Sequence, residues 1–280
     1  MKFALAQINP TVGDITGNAQ KIIHIIAEHG KNVDVLVFPE MVLTGYPPQD
    51  LLFESSFIKT TELALLEIAE TVNECIVILG TVRQDSQDLF NTAAIIHKNG
   101  EVEYRDKTLL PTYDVFDEAR YFSPSTSVKP IEVLIGGNSV LLGVQICEDL
   151  WDDEYSQKVT QKLAEKGAAL MVNISASPFS VDRYKERIQA VQAKSGEFKI
   201  PFLYCNLVGA QDELVFDGHS FAMNASGEII AVGKSFDDDF FVVDIDDSKV
   251  VPVHETCEDE QIYNALTLGL KDYFKPNVRA

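Results

Sequence analysis

Short, nearly continuous apolar runs alternate along this chain with segments whose apolar residues recur every three or four positions. The runs over residues 3–8 and 33–38 have strand length. Between them Ala19, Ile22, Ile23, Ile26 and Ala27 share one helical face behind a Gly-Asp turn, which predicts a helix over 18–29. Ser55 or Ser56 is expected to cap a second helix reaching about residue 73, with Leu63, Leu66, Ala69 and Val72 as its buried face. A strand over 76–81 follows. Two strands within 91–104 are joined by Lys98-Asn99-Gly100, a turn that needs positive φ, and a second pair, 129–134 and 139–146, meets at Gly136-Gly137-Asn138. The pattern then predicts a helix over 154–166, a strand over 168–174, a helix over 182–199 and a strand over 202–206. Short strands over 218–223, 228–232 and 240–245 complete the series. After a boundary near 256–260, Ile262, Leu266, Leu268, Leu270, Tyr273 and Phe274 fit a last amphipathic helix ended by Lys275-Pro276.

Hairpins inserted among βα units imply an α/β protein with mixed sheets covered by helices on their outer faces. With 280 residues and 46% hydrophobic content the chain can bury a sizeable core, and no Pro/Gly/Ser linker or internal repeat divides it. No apolar stretch approaches the roughly 20 residues of a membrane span, and the first residues read as a strand rather than a signal peptide. A soluble, cytoplasmic protein is expected. A net charge of −20 argues against nucleic-acid binding, which needs a basic footprint. Four widely spaced cysteines and five scattered histidines suggest reduced thiols and no metal site.

Three of the β-rich runs end in reactive groups: Glu40 after Val35-Leu36-Val37-Phe38-Pro39, Lys107 after Val102 to Asp106, and Cys147 after Leu141 to Ile146. Taken singly, each has an ordinary reading: a solvated loop glutamate, a surface lysine, a buried structural cysteine. Open sheets bind ligands beyond the carboxyl ends of their strands, so the three are also able to meet in one pocket. There a carboxylate base, an oxyanion-stabilising ammonium and a thiol nucleophile make covalent acyl chemistry possible. Glu148 and Asp149, two carboxylates directly after an apolar strand, are poor core residues and strengthen that reading.

The three together resemble the nitrilase superfamily of carbon–nitrogen hydrolases, and longer motifs resemble the glutaminase domain of glutamine-dependent NAD synthetases. These are Phe38-Pro39-Glu40-Met41 with Thr44-Gly45-Tyr46-Pro47-Pro48-Gln49-Asp50-Leu51, the stretch Lys107 to Phe122, Cys147-Glu148-Asp149-Leu150-Trp151, Asn173 to Phe179, and Asn206 to Gly218. The resemblance covers essentially the whole chain. It implies an α-β-β-α sandwich of two mixed sheets with outer helices. It also implies Glu40 as proton acceptor, Lys107 as oxyanion stabiliser, Cys147 as nucleophile, and Glu118 as a second glutamate that positions substrate or lysine. Glutamine would bind at Tyr113, Ser177 and Arg183, the last standing where a lysine is more usual. Members commonly dimerise, so a homo-oligomer is expected. Residues 1–258 would form the hydrolase domain and 259–280 a linking or dimerisation helix.

A complete synthetase would also carry a Ser-Gly-Gly-x-Asp-Ser pyrophosphate loop, and no such motif occurs here. Gly136-Gly137-Asn138-Ser139 lacks its serine and aspartate and reads as a turn. The implied glutaminase step needs no metal or organic cofactor. ATP and Mg would enter only with an attached synthetase domain or a separate ammonia-dependent synthetase. An amidase acting on another small amide, and a catalytically silent domain regulating a synthetase, are the alternatives.

Overall fold

Strand β1 (Lys2–Gln7) sends Phe3 and Leu5 to one side and Ala4 and Ala6 to the other, and this two-residue alternation recurs throughout the fold. The computed structural model describes residues 1–246, 249–253 and 257–274. After β1 come α1 (Ile15–His29), β2 (Val35–Val37), α2 (Ser55–Thr71), β3 (Ile76–Asp85), β4 (Asp88–Ile96) and β5 (Val102–Asp106). The second half adds β6 (Ile131–Ile135), β7 (Asn138–Ile146), α3 (Val159–Glu165), β8 (Leu170–Ser175), α4 (Arg183–Phe198), β9 (Phe202–Asn206), β10 (Val208–Gln211) and β11 (Leu214–Asp217). It closes with β12 (Phe221–Met223), β13 (Ile229–Val232), β14 (Asp239–Asp244) and α5 (Glu258–Tyr273).

Two six-stranded mixed sheets result, ordered β14-β1-β2-β3-β4-β5 and β13-β12-β9-β8-β7-β6. Phe3, Leu5, Val35, Val37, Ile76 and Ile78 of the first meet Val144, Ile146, Val172, Ile174, Leu203 and Cys205 of the second in one core. On the outer face of the first sheet α1 and α2 cover Ala4, Leu36, Val77 and Ala94, while α3 and α4 cover Met171, Phe202 and Phe221 of the second. This is the expected α-β-β-α layering. Parallel pairing of β1 with β2 in one sheet, and of β7 with β8 and β8 with β9 in the other, aligns the strand ends from which Glu40, Cys147 and the Ala176 N–H follow.

Several local expectations need correction. Helix α2 buries Ile58, Thr61, Leu65, Ile68 and Ala69, whereas Leu63 and Leu66 are 57% and 55% exposed. Leu65, Ile68 and Ala69 instead pack with Ile22 and Ile26 of α1 and Val77 and Leu79 of the sheet, and this packing selects the buried face of the helix. Its N-cap is Glu54, not Ser55 or Ser56. Helix α1 begins three residues early because Asp14 accepts from the Gly17 N–H. The helix expected over 154–166 shrinks to Val159–Glu165: the Asp152 carboxylate accepts from the Thr160 N–H, and Lys158 donates to the Asp152 and Asp153 carbonyls, which fixes a separate turn before it. The β10–β11 hairpin adds two strands to those the sequence pattern predicts, and β3 runs four residues past its expected end into a hairpin with β4. Gly136 and Gly137 form the β6–β7 turn at φ +57° and +82°.

Helix α5 packs on β10 and β11, and Asp272 accepts from Asn9 Nδ2 and the Ala210 N–H. It buries only Ala265 and Leu268, leaving Leu266, Leu270 and Tyr273 exposed. Helix α5 begins at Glu258, within the boundary expected near 256–260, of which residue 256 lies outside the described residues, as does the Lys275-Pro276 stop. No helix among the described residues is long and apolar enough to cross a membrane.

Candidate active site

Glu40 follows β2 across the top of the first sheet, so close to β3 that only glycine is accommodated at position 80. A Cβ there would lie 2.4 Å from the Glu40 Cα, and the Gly80 N–H donates to the Pro39 carbonyl. Far from being solvated, Glu40 is completely buried, and its oxygens are unequally occupied. Oε1 accepts from Lys107 Nζ (2.8 Å) and Asn91 Nδ2 (2.7 Å), while Oε2 accepts only from the Ala176 N–H (2.7 Å). Lys107, just past β5, is tied to β4 through its N–H to the Asn91 carbonyl and reaches Glu118 Oε1 at 2.8 Å as well. Glu118 in turn accepts from the Tyr46 hydroxyl at 3.0 Å. Lys107 is therefore an interior cation between two carboxylates.

Cys147 directly follows β7 with φ +43°, a left-handed conformation costly for a side chain with a Cβ, of order 1–3 kcal/mol. The tight turn Cys147–Leu150 that follows directs the thiol into a cavity of about 390 Å³. Asp149 holds this turn against the lysine loop: Oδ1 accepts from the Thr108 and Leu109 N–H groups at 3.0 and 2.9 Å, and Oδ2 from the Ile146 N–H at 3.2 Å. One carboxylate thus fixes Cys147 and Lys107 relative to each other.

The electrostatics follow from this burial. Desolvation, with Glu40 next, pushes the Cys147 thiol well above its ordinary range despite the opposing Lys107 charge, so the resting residue is a neutral thiol. Burial disfavours the Lys107 ammonium, but Glu118, Glu40 and Cys147 outweigh it and hold its pKa well above the usual value. Burial also raises Glu118 and Asp149, against the pull of Lys107 on the first and Arg105 on the second.

Tyr113, Ser177 and Arg183 all line the Cys147 cavity, joined by Phe116, Trp151 and Tyr155. Arg183 pairs with Glu186 at 3.0 Å and lies 5.9 Å from the Trp151 ring centre. The structure therefore brings together all seven residues singled out in the sequence. It adds Glu148, whose carboxylate accepts from the Tyr113 hydroxyl (2.8 Å) and the Tyr155 hydroxyl (2.9 Å) on the cavity wall. Asn91, Tyr46 and the Ala176 N–H were also missed. Asn91 left a signal, an amide directly before Thr92 and the buried apolar run Ala93 to Ile96, but nothing local says which carboxylate it meets. Among the described residues no group of three or more His, Cys, Asp or Glu side chains is disposed to hold a metal ion, and Cys75, Cys147, Cys205 and Cys257 are all free thiols.

The model of the carbon-nitrogen hydrolase family matches residues 2–255. The chain belongs to the carbon-nitrogen hydrolase family. This carbon-nitrogen hydrolase is 40% identical over 296 residues to the glutamine-dependent NAD(+) synthetase of Synechocystis sp., an alignment covering 97% of this chain and 52% of the relative. With the enzyme of the same name from Thermotoga maritima it shares 40% over 250 residues, 88% of this chain and 42% of that one. The solved glutamine-dependent NAD+ synthetase of Acinetobacter baumannii superposes with a TM-score of 0.88 at 33% identity, over 97% of this chain and 51% of its own. A nitrilase-superfamily amidase from Nesterenkonia gives 0.74 at 22% identity over 87% and 89% of the two chains, a likeness of fold. The chain spans about half the length of the curated relatives it matches.

Proposed function

We propose that this carbon-nitrogen hydrolase is a glutamine amidohydrolase that releases ammonia for NAD synthesis from deamido-NAD. The observation that carries the reading is the buried Glu40–Lys107–Glu118 cluster beside Cys147, at a cavity that also offers Tyr113, Glu148, Ser177 and Arg183. A cavity with the cation Arg183 and the carboxylates Asp114, Glu148 and Glu154 on its wall suits the zwitterionic end of an amino acid better than a plain amide.

Because the resting thiol is neutral, it needs a base. Glu40 Oε2, with a single N–H partner, has a lone pair free to take the thiol proton. Sγ of Cys147 then attacks the side-chain amide carbon, and Lys107 and a backbone N–H hold the oxyanion. Glu40 returns its proton to the amide nitrogen, the C–N bond breaks and ammonia leaves a γ-glutamyl thioester. A water deprotonated by Glu40 attacks the thioester, the C–S bond breaks, and Cys147 regains its proton as glutamate departs. Glu118, bonded to Lys107 and Tyr46, keeps the ammonium aimed rather than exchanging protons with substrate.

In this reading residues 1–258 form the hydrolase domain and 259–280 a linking or dimerisation helix, with the exposed Leu266/Leu270/Tyr273 stripe of α5 supporting self-association. The synthetase is an attached domain or a separate ammonia-dependent partner, and ATP and Mg belong to it. The test mixes this chain with such a synthetase, ATP, Mg²⁺, deamido-NAD and glutamine, and measures NAD and glutamate together. Glutamate release that requires Cys147 and rises on adding the synthetase is expected. Turnover of other small amides with no activity on glutamine would sink the proposal in favour of an independent amidase.

A further inference from the structure

Arg187 is the largest fully buried side chain among the described residues, and no step of the mechanism above uses it. It projects from the second turn of α4 beneath the cavity wall formed by Ser177 and Pro178. Its NH1 makes a two-oxygen contact with Asp217 (2.8 and 3.0 Å), and NH2 donates to the Ser177 and Pro178 carbonyls (2.9 and 3.0 Å). Nε donates to Ser177 Oγ at 3.1 Å. Asp217 is held from its other side by His219 Nδ1 at 3.0 Å. The Ser177 N–H donates to Asn206 Oδ1 at 2.9 Å, so the backbone of this residue is also fixed.

A serine hydroxyl has one proton and two lone pairs, and a guanidinium has only protons to offer. With Nε–H bonded to one lone pair of Ser177 Oγ, the hydroxyl proton has to point elsewhere, either to the buried Tyr204 hydroxyl beside it or into the cavity that Ser177 lines, where a ligand carboxylate is the stronger acceptor. We propose that Arg187 is a positioning residue that polarises Ser177 as a hydrogen-bond donor, making this wall a subsite for a ligand carboxylate and not for an amide or ammonium group. This rests on the glutaminase reading and deepens it: Ser177 and Arg183 share the α-carboxylate of glutamine, and the amino group is left to the Tyr113/Glu148 wall. The same Arg187 grip on the Ser177 and Pro178 carbonyls steadies the segment whose Ala176 N–H bonds Glu40. An arginine is needed here because a lysine has no second nitrogen to reach the serine oxygen while it pairs with Asp217.

The experiment compares L-glutamine with L-glutamine α-amide, which replaces the carboxylate by a carboxamide of the same shape, in the wild type, in Arg187→Lys and in the double variant Arg187→Met/Asp217→Asn. The lysine variant keeps a cation opposite Asp217, and the double variant removes both charges, so neither leaves a lone buried charge to unfold the chain. In the wild type kcat/KM should favour glutamine. In both variants KM for glutamine should rise by about tenfold or more, the loss of a hydrogen bond to a charged group, while KM for the α-amide changes little, because a released Ser177 accepts from the carboxamide as readily as it donates. A purely structural role would lower both substrates in proportion. Retention of the wild-type preference in the two variants, or proportional loss of both substrates, overturns the assignment of Arg187 and leaves the glutaminase reading standing. A wild type with no preference for the carboxylate overturns both.

Discussion

Replacing Lys107 by Met tests the centre of the site, because it removes the ammonium from between two buried carboxylates that each lie 2.8 Å away. Methionine fills most of the volume, so the loss is electrostatic. Removing one partner of a buried ion pair costs about 3–5 kcal/mol, and at about 2–4 °C per kcal/mol for a large domain the Tm should fall by roughly 6–20 °C. The loss should also depend on pH. Burial already raises the Glu118 carboxyl against the pull of Lys107, and without the cation it rises further. Stability from a group whose folded pKa is raised is full below its unfolded pKa and is lost as pH rises through the folded one. The deficit of Lys107→Met relative to wild type should therefore be smallest near pH 5 and grow toward pH 7.5. Adding Glu118→Gln removes one of the two stranded charges and should restore about half of the lost stability with no return of amide hydrolysis, since oxyanion stabilisation is still missing. Thermal unfolding by circular dichroism across pH 5–8, with ammonia release measured alongside, reads both effects. A Tm within 2 °C of wild type at pH 7.5, on the scale of under about 1 kcal/mol, or recovered turnover in the double variant, refutes the picture of Lys107 as an interior cation serving the oxyanion.

Cys147→Ala should abolish glutamine hydrolysis and the thioester seen by mass spectrometry. Because burial raises the thiol pKa, its stabilising contribution is present below about pH 8.5 and lost above it; wild-type stability relative to Cys147→Ala should fall between pH 8 and 10, by up to about 1.4 kcal/mol per unit. A pH-independent difference contradicts this. Alkylation of the Cys147 peptide by iodoacetamide should climb through pH 9 without a plateau, whereas a plateau near neutrality would mark a preformed thiolate. Asp149→Asn turns the acceptor facing the Ile146 N–H into a donor, or else deprives Thr108 and Leu109 of theirs, and should cost about 1.5–3 kcal/mol in urea unfolding together with a fall in kcat. Arg183→Ala should raise KM for glutamine about tenfold, the low end for a charged hydrogen bond because the side chain is 38% exposed, with kcat changed little; a large loss of kcat at unchanged KM argues against a substrate contact.

What the sequence determined by itself is whatever depends on neighbours a few positions apart. Strand alternation, the helical spacing of Ile22 and Ile26, the Asn99-Gly100 and Gly136-Gly137 turns and the three reactive residues at strand ends are legible because φ/ψ preference and side-chain direction are local properties. The resemblance of whole motifs added the sandwich and the family; Cys147, Tyr113, Ser177 and Arg183 line one cavity, and Glu40, Lys107 and Glu118 form the buried cluster beside it. The tertiary structure decided the rest. Two apolar stripes compete on α2, and only its packing against α1 and the sheet selects Ile58/Leu65/Ile68 over Leu63/Leu66. The start of α3 hangs on the Asp152 carboxylate eight residues away. Asn91 and Ala176 reach Glu40 across 51 and 136 positions, and Arg187 reaches Asp217 across 30. No periodicity encodes such pairings, because a buried charge is tolerated only where the fold closes several distant polar groups around it at once.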